Sequence, residues 1–536
     1  MVHVQDPLFP TWLKVIQKHK KFNLIRKQDY AKGEDSAGNS LSVGNPGYGK
    51  TTGNRREVEL RWAIGHKVFC LYDGGQRLDM AYFMFPSNSP FWKIPKLKLS
   101  RNGRQSIVAA RKYPTEVLIP ITKDIPKKLP NCFVPFTIAV SDLTQDDLIA
   151  ILGERYNDTI KAAYAYMEEK VDDKTTPLDY IRYLEEAWKK GDSEGTKLSF
   201  SGPKKLIEAA FRPLMQQGLL TSKQISTTLN IQEKIRDRKN ISVLCLRHCP
   251  KALHGFLVHY FISHIYSTLS GVGTTKMMKQ KVTIVLNEVA DLLSKDSEQG
   301  TSGWSISQMI GRIAKQYRTA SLYLLLDTQL SSELPDIKET MKRVYVYNSS
   351  LPSVERAMTI AGISTYSGDI NQDDFSIIPR LSPGEYYLFD RDNGVSIHKL
   401  MWLRSRTYIA GEDFYDEYDK YYGKTAYQNI TPILDEIKAE REKAEEDWAE
   451  VKRMREPVKK RKRKGQDELD ELADDLDPED EAELEEDEII KEEEKFLKEN
   501  QPIKEKKVTK EEYEEEVKKS NYEAYLKTIN THRRKK

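Results

Sequence analysis

Eight residues, Gly44-Asn45-Pro46-Gly47-Tyr48-Gly49-Lys50-Thr51, fit the spacing G-x-x-x-x-G-K-[ST] and follow the short apolar run Leu41-Ser42-Val43. The chemistry of such a segment is anion binding. Glycines let the backbone wrap phosphate groups, the lysine reaches the β and γ oxygens, and the hydroxyl after it ligates Mg²⁺. The stretch from about 51 to 64 reads as a helix whose positive end points at the same anion. The residues expected to hold ATP therefore run from Gly44 through Thr52, with Lys50 on the phosphates and Thr51 also on Mg²⁺. This implies that the chain binds and hydrolyses a nucleoside triphosphate.

Hydrolysis needs acids, and a second segment supplies them. The apolar run Val282-Thr283-Ile284-Val285-Leu286 reads as a strand that ends at Asn287-Glu288. A buried strand delivers the next polar side chains at its carboxyl end, where one holds the metal's water shell and the other polarises the attacking water. Asn287 is the residue expected at the metal and Glu288 the expected base. Further on, Ser321–Leu326 leads into Asp327-Thr328-Gln329, a third strand with a polar tip, and Gln329 is the expected third member of the site. Phosphate loop, acidic-tipped strand, Gln-tipped strand and downstream arginines follow the order of an additional-strand P-loop ATPase.

The string Asn287-Glu288-Val289-Ala290-Asp291-Leu292 resembles the HerA/FtsK superfamily of hexameric DNA-pumping ATPases, including the conjugative coupling proteins. In that family this strand usually ends Asp-Glu, then an aromatic, Ala, Asp or Asn, and Leu. Asp327-Thr328-Gln329 is similar to the family's Gln-tipped strand, Gly311–Arg318 to its Gly-Arg-Lys-Tyr-Gly segment, and Ser382-Pro383-Gly384-Glu385 to its late turn. The resemblance covers roughly 41–75 and 236–408. It implies a homo-hexameric ring on double-stranded DNA, in which an arginine reaches the γ-phosphate of the neighbouring subunit. Of Arg312, Arg318 and Arg343, the last stands just before a strand and is the expected finger. Two departures stand out. Asn287 replaces the family's Asp, so that Mg²⁺ affinity should fall unless another carboxylate, Asp73 or Asp327, compensates. Only 43 residues precede the loop, too few for the β-barrel of HerA proper.

These motifs need elements to position them. The expected fold is α/β: a RecA-like P-loop ATPase core with a mainly parallel sheet, an inserted all-helical subdomain and a charged C-terminal tail. Its parts are 1–140 and 236–410 for the ATPase domain, 141–235 for the helical insertion and 411–536 for the tail. Strand signals at Lys67–Tyr72 and Ile241–Leu246 alternate with helical patterns, as in a parallel sheet. The apolar runs Met80–Phe85, Glu116–Ile121 and Phe133–Val140 read as loops and strands at the sheet's edge, and capping residues near Asp142 open the helical insertion.

Charge separates body from tail. Residues 431–536 hold 26 Lys+Arg against 35 Asp+Glu, a net of −9, which leaves +12 for residues 1–430 of a chain whose total is +3. A basic body suits a polyanionic partner. The tail carries the basic run Lys459–Lys464 and an acidic block from Asp467 to Glu494, and its low hydrophobicity points to solvated helix or disorder and to a protein partner. Cys70, Cys132, Cys245 and Cys249 lack C-x-x-C pairing and read as buried thiols in a reducing compartment. Cys245, His248, Cys249 and His254 read as a strand-to-helix junction rather than a zinc cluster. With no apolar stretch near the roughly 20 residues that span a bilayer, the expected compartment is the cytoplasm. The expected function is an ATP-driven motor moving double-stranded DNA, with genome packaging, transfer or segregation as its setting. The alternatives are an ATPase for protein secretion or assembly and a weakly hydrolysing NTP-binding scaffold.

Overall fold

The computed structural model describes residues 38–63, 65–73, 78–85, 113–153, 156–192, 202–271, 278, 280–293, 302–329, 341–361, 378–383, 385–390, 394–399, 413–443 and 446. The chain enters with β1 (Ser40–Val43), crosses the glycine-rich loop into α1 (Lys50–Ala63) and continues to β2 (Lys67–Asp73). Then come β3 (Thr115–Pro120), β4 (Lys128–Pro130), β5 (Phe133–Phe136) and β6 (Ile138–Ala139). The expected helical insertion follows as α2 (Gln145–Leu152), α3 (Asn157–Glu168), α4 (Pro177–Asp192) and α5 (Gly202–Gln217), then β7 (Leu220–Thr221) and α6 (Ile231–Arg236). The chain returns through β8 (Ile241–Leu244), α7 (His254–Ser270), β9 (Val282–Asn287), α8 (Ser302–Ala320) and β10 (Leu322–Thr328). It closes with β11 (Arg343–Val346), α9 (Leu351–Ala361), β12 (Glu385–Asp390), β13 (Gly394–Lys399), α10 (Phe414–Tyr422) and β14 (Tyr427–Asn429).

Ten strands form one sheet in the order β13-β12-β11-β1-β10-β9-β2-β8-β3-β5. Pairing from β11 through β5 is parallel, while β12 and β13 add antiparallel. β10 therefore lies between the loop strand β1 and the acid-tipped strand β9. Its sequence explains why: LYLLLDT is buried at every residue, as a central parallel strand covered on both faces must be. Successive residues of β2 divide between two cores. Phe69 and Leu71 join α7, α8 and the insertion on one face, and Val68 and Cys70 join α1 and α10 on the other.

Two expectations change. Met80–Phe85, read with its neighbours as loops and strands at the sheet's edge, forms a 3-10 turn over Asp79–Met84, with Met80, Ala81, Phe83 and Met84 buried against the sheet. Residues 413–443 do not belong to a solvated tail. Phe414, Tyr418, Ile430 and Ile437 are buried in the second core, Arg247 makes two bonds of 2.7 and 2.6 Å to the Asp413 carboxylate, and β14 pairs with β4. The chain divides instead after Trp448. The basic run at 459–464 and the acidic block at 467–494 lie outside the described residues.

α2 shows how the insertion attaches. A capping box, Thr144 with Asp147, starts it, and the fully buried Asp147 carboxylate also meets His264 of α7 at 2.9 Å. Burial raises the Asp147 pKa, but the His264 and His259 imidazoles outweigh it and hold the carboxyl well below its usual range. The Cys245–His254 stretch is a junction, as expected. His254 Nε2 bonds the Cys249 carbonyl at 3.0 Å, His248 Nε2 meets the Tyr415 hydroxyl at 3.1 Å, and no metal-holding cluster occurs among the described residues.

Candidate nucleotide site

The loop after β1 is shaped by what its neighbours leave room for. A Cβ on Gly44, at φ +156°, would stand 2.6 Å from Tyr347 Cβ, so only glycine lets β1 hand over to the loop beside the end of β11. Gly47 and Gly49 adopt φ of 80° and 102°, the region that glycine enters without strain. The loop is tied down at its first turn. Asn45 N donates to the Asn348 carbonyl at 2.8 Å, and Asn45 Nδ2 donates to Asn348 Oδ1 at 2.9 Å. Asn348 Nδ2 in turn donates to the Pro379 carbonyl at 2.6 Å. Asn45, Pro46 and Gly47 are exposed, while Tyr48, Gly49, Thr51 and Thr52 are half-buried.

Lys50 opens α1, and its ammonium folds back across the loop to the Gly44 carbonyl at 2.6 Å and the Asn45 carbonyl at 3.3 Å. Burial lowers its pKa, and the carboxylates of Asp327 and Glu288 pull it partly back up. One turn later on the same face, Asn54 is fully buried. Its Nδ2 donates to Asn287 Oδ1 and to Asp327 Oδ2, each at 2.9 Å, while its Oδ1 accepts from Ser42 Oγ at 3.0 Å. A single amide thereby joins α1, β1, β9 and β10.

The strand register sets the remaining groups side by side at the carboxyl edge, where open α/β sheets bind ligands. Val43 lies opposite Thr328, and Asp73 opposite Asn287. Glu288 leaves β9 with φ 52°, a left-handed conformation uncommon for a residue with a side chain and one that clusters at functional sites. The turn is fixed by its backbone N–H, which donates to Asp327 Oδ1 at 2.6 Å, and Glu288 Oε2 accepts from Gln329 Nε2 at 2.9 Å. Burial pushes the Asp327 carboxyl up to about 7, against the Glu288 N–H and the Lys50 charge, which both favour its ionised form. Asp73 is also raised by burial, but its charged neighbours are Asp79 and Arg55, not Lys50.

Lys50, Asn287, Glu288 and Gln329 thus converge, with Thr51 in the first turn of α1. Arg343 does not join them. It begins β11 opposite Ser40, at the end of the sheet away from the loop by roughly 10 Å on strand rise, and is 8% exposed. Arg312 is exposed, and the side chain of Arg318 lies outside the described residues. Sequence reasoning missed Asn54 and Asn348. The only signal for Asn54 was a polar residue four places after the loop lysine, and for Asn348 there was none, since its partners are distant in the chain.

A glycine-rich cradle, a lysine, a helix N-terminus with a threonine hydroxyl and a buried carboxylate are a donor and acceptor set that fits a triphosphate with Mg²⁺.

No known family profile matches this chain, and no curated protein does. Among solved structures it is similar to the bacterial conjugative coupling protein TrwBdeltaN70, at 12% identity over 70% of this chain and 87% of that one, with a TM-score of 0.42. It is also similar to VirB4 of Thermoanaerobacter pseudethanolicus, at 12% identity over 69% and 91%, with a TM-score of 0.39. A third is the genome packaging NTPase B204 from Sulfolobus turreted icosahedral virus 2, at 13% over 32% and 72%, with a TM-score of 0.22. No helix among the described residues is long and apolar enough to cross a membrane. With the glycine-rich loop after β1, and with β10 between the loop strand and the acid-tipped β9, the chain has a RecA-like P-loop α/β core.

Proposed function

We propose that this chain is a Mg²⁺-dependent ATPase that forms a homo-hexameric ring and drives double-stranded DNA. The observation that carries the reading is the convergence of Lys50, Glu288 and Gln329 at the carboxyl edge of one sheet, with Asn54 tying the loop helix to both acid-bearing strands. Lys50 would leave the Gly44 and Asn45 carbonyls for the β and γ oxygens, and the Thr51 and Thr52 hydroxyls and loop N–H groups would complete the cradle. Mg²⁺, when bound, supplies neutralisation of charge between the β- and γ-phosphates.

Glu288 is the base. Its backbone is pinned by Asp327 and its carboxylate oriented by Gln329, so the side chain is aimed before a water molecule enters. Gln329, exposed at the tip of β10, senses or orients the same water. DNA as substrate rests on the charge of +12 over residues 1–430. Phosphate contacts give affinity without reading sequence, so binding should fall steeply with salt.

The deciding experiment is the ATPase rate with and without duplex DNA, together with filter binding across a salt series. Stimulation by DNA and a salt-sensitive affinity support the motor. Hydrolysis indifferent to DNA, with no binding at low ionic strength, would move the reading to an ATPase acting on polypeptide. Nucleotide binding without turnover would leave a scaffold.

A further inference from the structure

The site holds an amide where a carboxylate is expected, and the hydrogen bonds around it decide which oxygen faces the nucleotide. Because Asn54 Oδ1 accepts from Ser42 Oγ, Asn54 presents only its Nδ2 to the strand ends. Asn287 therefore has its one side-chain oxygen bound to Asn54, and has only that neutral oxygen's second lone pair to offer. Its Nδ2 is left with no hydrogen-bond partner among the described residues, although the side chain is 3% exposed. An amide N–H₂ neither ligates Mg²⁺ nor accepts from the metal's water molecules, which need oxygen acceptors.

Asp327, one strand over, has the missing property. Each of its oxygens takes one hydrogen bond, Oδ1 from Glu288 N and Oδ2 from Asn54, and each keeps a lone pair free. Its charge also acts on Lys50 more strongly than that of Glu288 does. Asp73, another carboxylate at this edge, accepts from the Met80 and Asp79 backbone and has Asp79 and Arg55, not Lys50, as its charged neighbours.

We propose that Asp327, clamped by Asn54 and by the Glu288 N–H, is the carboxylate that holds the water shell of nucleotide-bound Mg²⁺. This rests on the nucleotide-site reading above. It makes Asn54 a positioning residue and gives the charged acceptor role to Asp327 rather than to Asn287.

The test is the affinity of a fluorescent, slowly hydrolysed ATP analogue in EDTA and across a Mg²⁺ series. Asp327→Asn should bind in EDTA as the wild type does, yet lose ~10-fold or more of the tightening that Mg²⁺ brings, the scale of losing one outer-shell group. Asn287→Ala should keep that tightening. A wild-type Mg²⁺ response in Asp327→Asn, or its loss in Asn287→Ala, overturns the proposal. Should Asp327→Asn fail to bind even in EDTA, the exchange Asn287→Asp with Asp327→Asn keeps one carboxylate and one amide on Asn54 and decides instead. A weaker Mg²⁺ response than wild type supports Asp327, and an equal or stronger one overturns it. No nucleotide binding by the wild type would sink the site reading itself, whereas binding with a Mg²⁺ response indifferent to Asp327 sinks this proposal alone.

Discussion

The two ends of the parallel sheet both bury charged and polar side chains, and they differ in where those side chains finish. At the amino end Arg61 donates to the Gly38 carbonyl and Ser40 Oγ at 2.9 and 3.0 Å, and Lys67 donates to the Asn240 carbonyl at 2.9 Å. Asn39 accepts from Leu324 N at 2.9 Å, and His66 meets Thr283 Oγ1 at 2.9 Å. These bonds join one strand start to the next. At the carboxyl end Lys50 rests on carbonyls of its own loop, Asn287 keeps an N–H₂ without a partner among the described residues, and Glu288 holds a strained backbone beside an exposed Gln329. Buried polarity is by itself no sign of function.

The largest effect that would break this contrast belongs to Lys50. Lys50→Ala should lower nucleotide affinity or turnover by ~100-fold or more, the scale of removing one preorganised donor to a developing anion. The unfolding midpoint without nucleotide should stay close to wild type, because among the described residues the lysine's hydrogen bonds are to its own loop. Equal hydrolysis in the two proteins, or a collapse of the fold, would show the carboxyl end to be as closed as the other.

Glu288→Gln sharpens the same end. Nucleotide binding should persist while turnover falls by ~100-fold or more, as for loss of a general base. Turnover measured beside nucleotide titration separates the two, and a loss of binding without a loss of rate would mean that Glu288 merely shapes the loop.

How much of this was legible beforehand follows from distance along the chain. The glycine-rich loop, α1 and β2 are local, and Gly44–Thr51 can be read because each residue's type answers to its own backbone. The strand tips at Asn287-Glu288 and Asp327-Thr328-Gln329 were visible as polar ends on apolar runs. That Asn54 bridges them was not, since its partners lie 233 and 273 positions away. The same holds for residues 413–443, whose charge suggests solvent but whose Phe414, Tyr418 and Ile430 fill the core beside α1. The 3-10 turn at Met80–Phe85 was not legible, because an apolar run that short carries no period to tell a strand from a turn of helix.

Arg343 tests the boundary between the ends. Its guanidinium is buried where β11 begins, so Arg343→Ala should cost stability on the order of 1–3 kcal/mol, the scale of unmaking a buried polar contact. Turnover per folded molecule should hold. A loss of ~10³ in rate at unchanged stability would instead restore it as the arginine acting on a neighbouring subunit, and the amino end would then be functional too. Urea unfolding and ATPase assays on one preparation distinguish the outcomes.

The smallest effect is the pH dependence that His66 adds at the amino end. His66 is buried between Arg61 and Lys281, and burial first, then those two charges, push its pKa down to about 3. In the unfolded chain it titrates near its ordinary value of about 6.5. Between those values the unfolded state carries a proton that the folded state refuses, so folding stability falls as pH falls below about 6.5. His66→Gln removes the titration while keeping a polar atom for Thr283 Oγ1. Between pH 7.5 and 5 the wild type should therefore lose about 2 kcal/mol more stability than the variant, read as the difference in urea midpoints, because the other acid-sensitive groups are common to both. Nucleotide affinity at pH 7.5 should be the same in the two proteins. Parallel pH slopes would mean that His66 takes up its proton without unfolding.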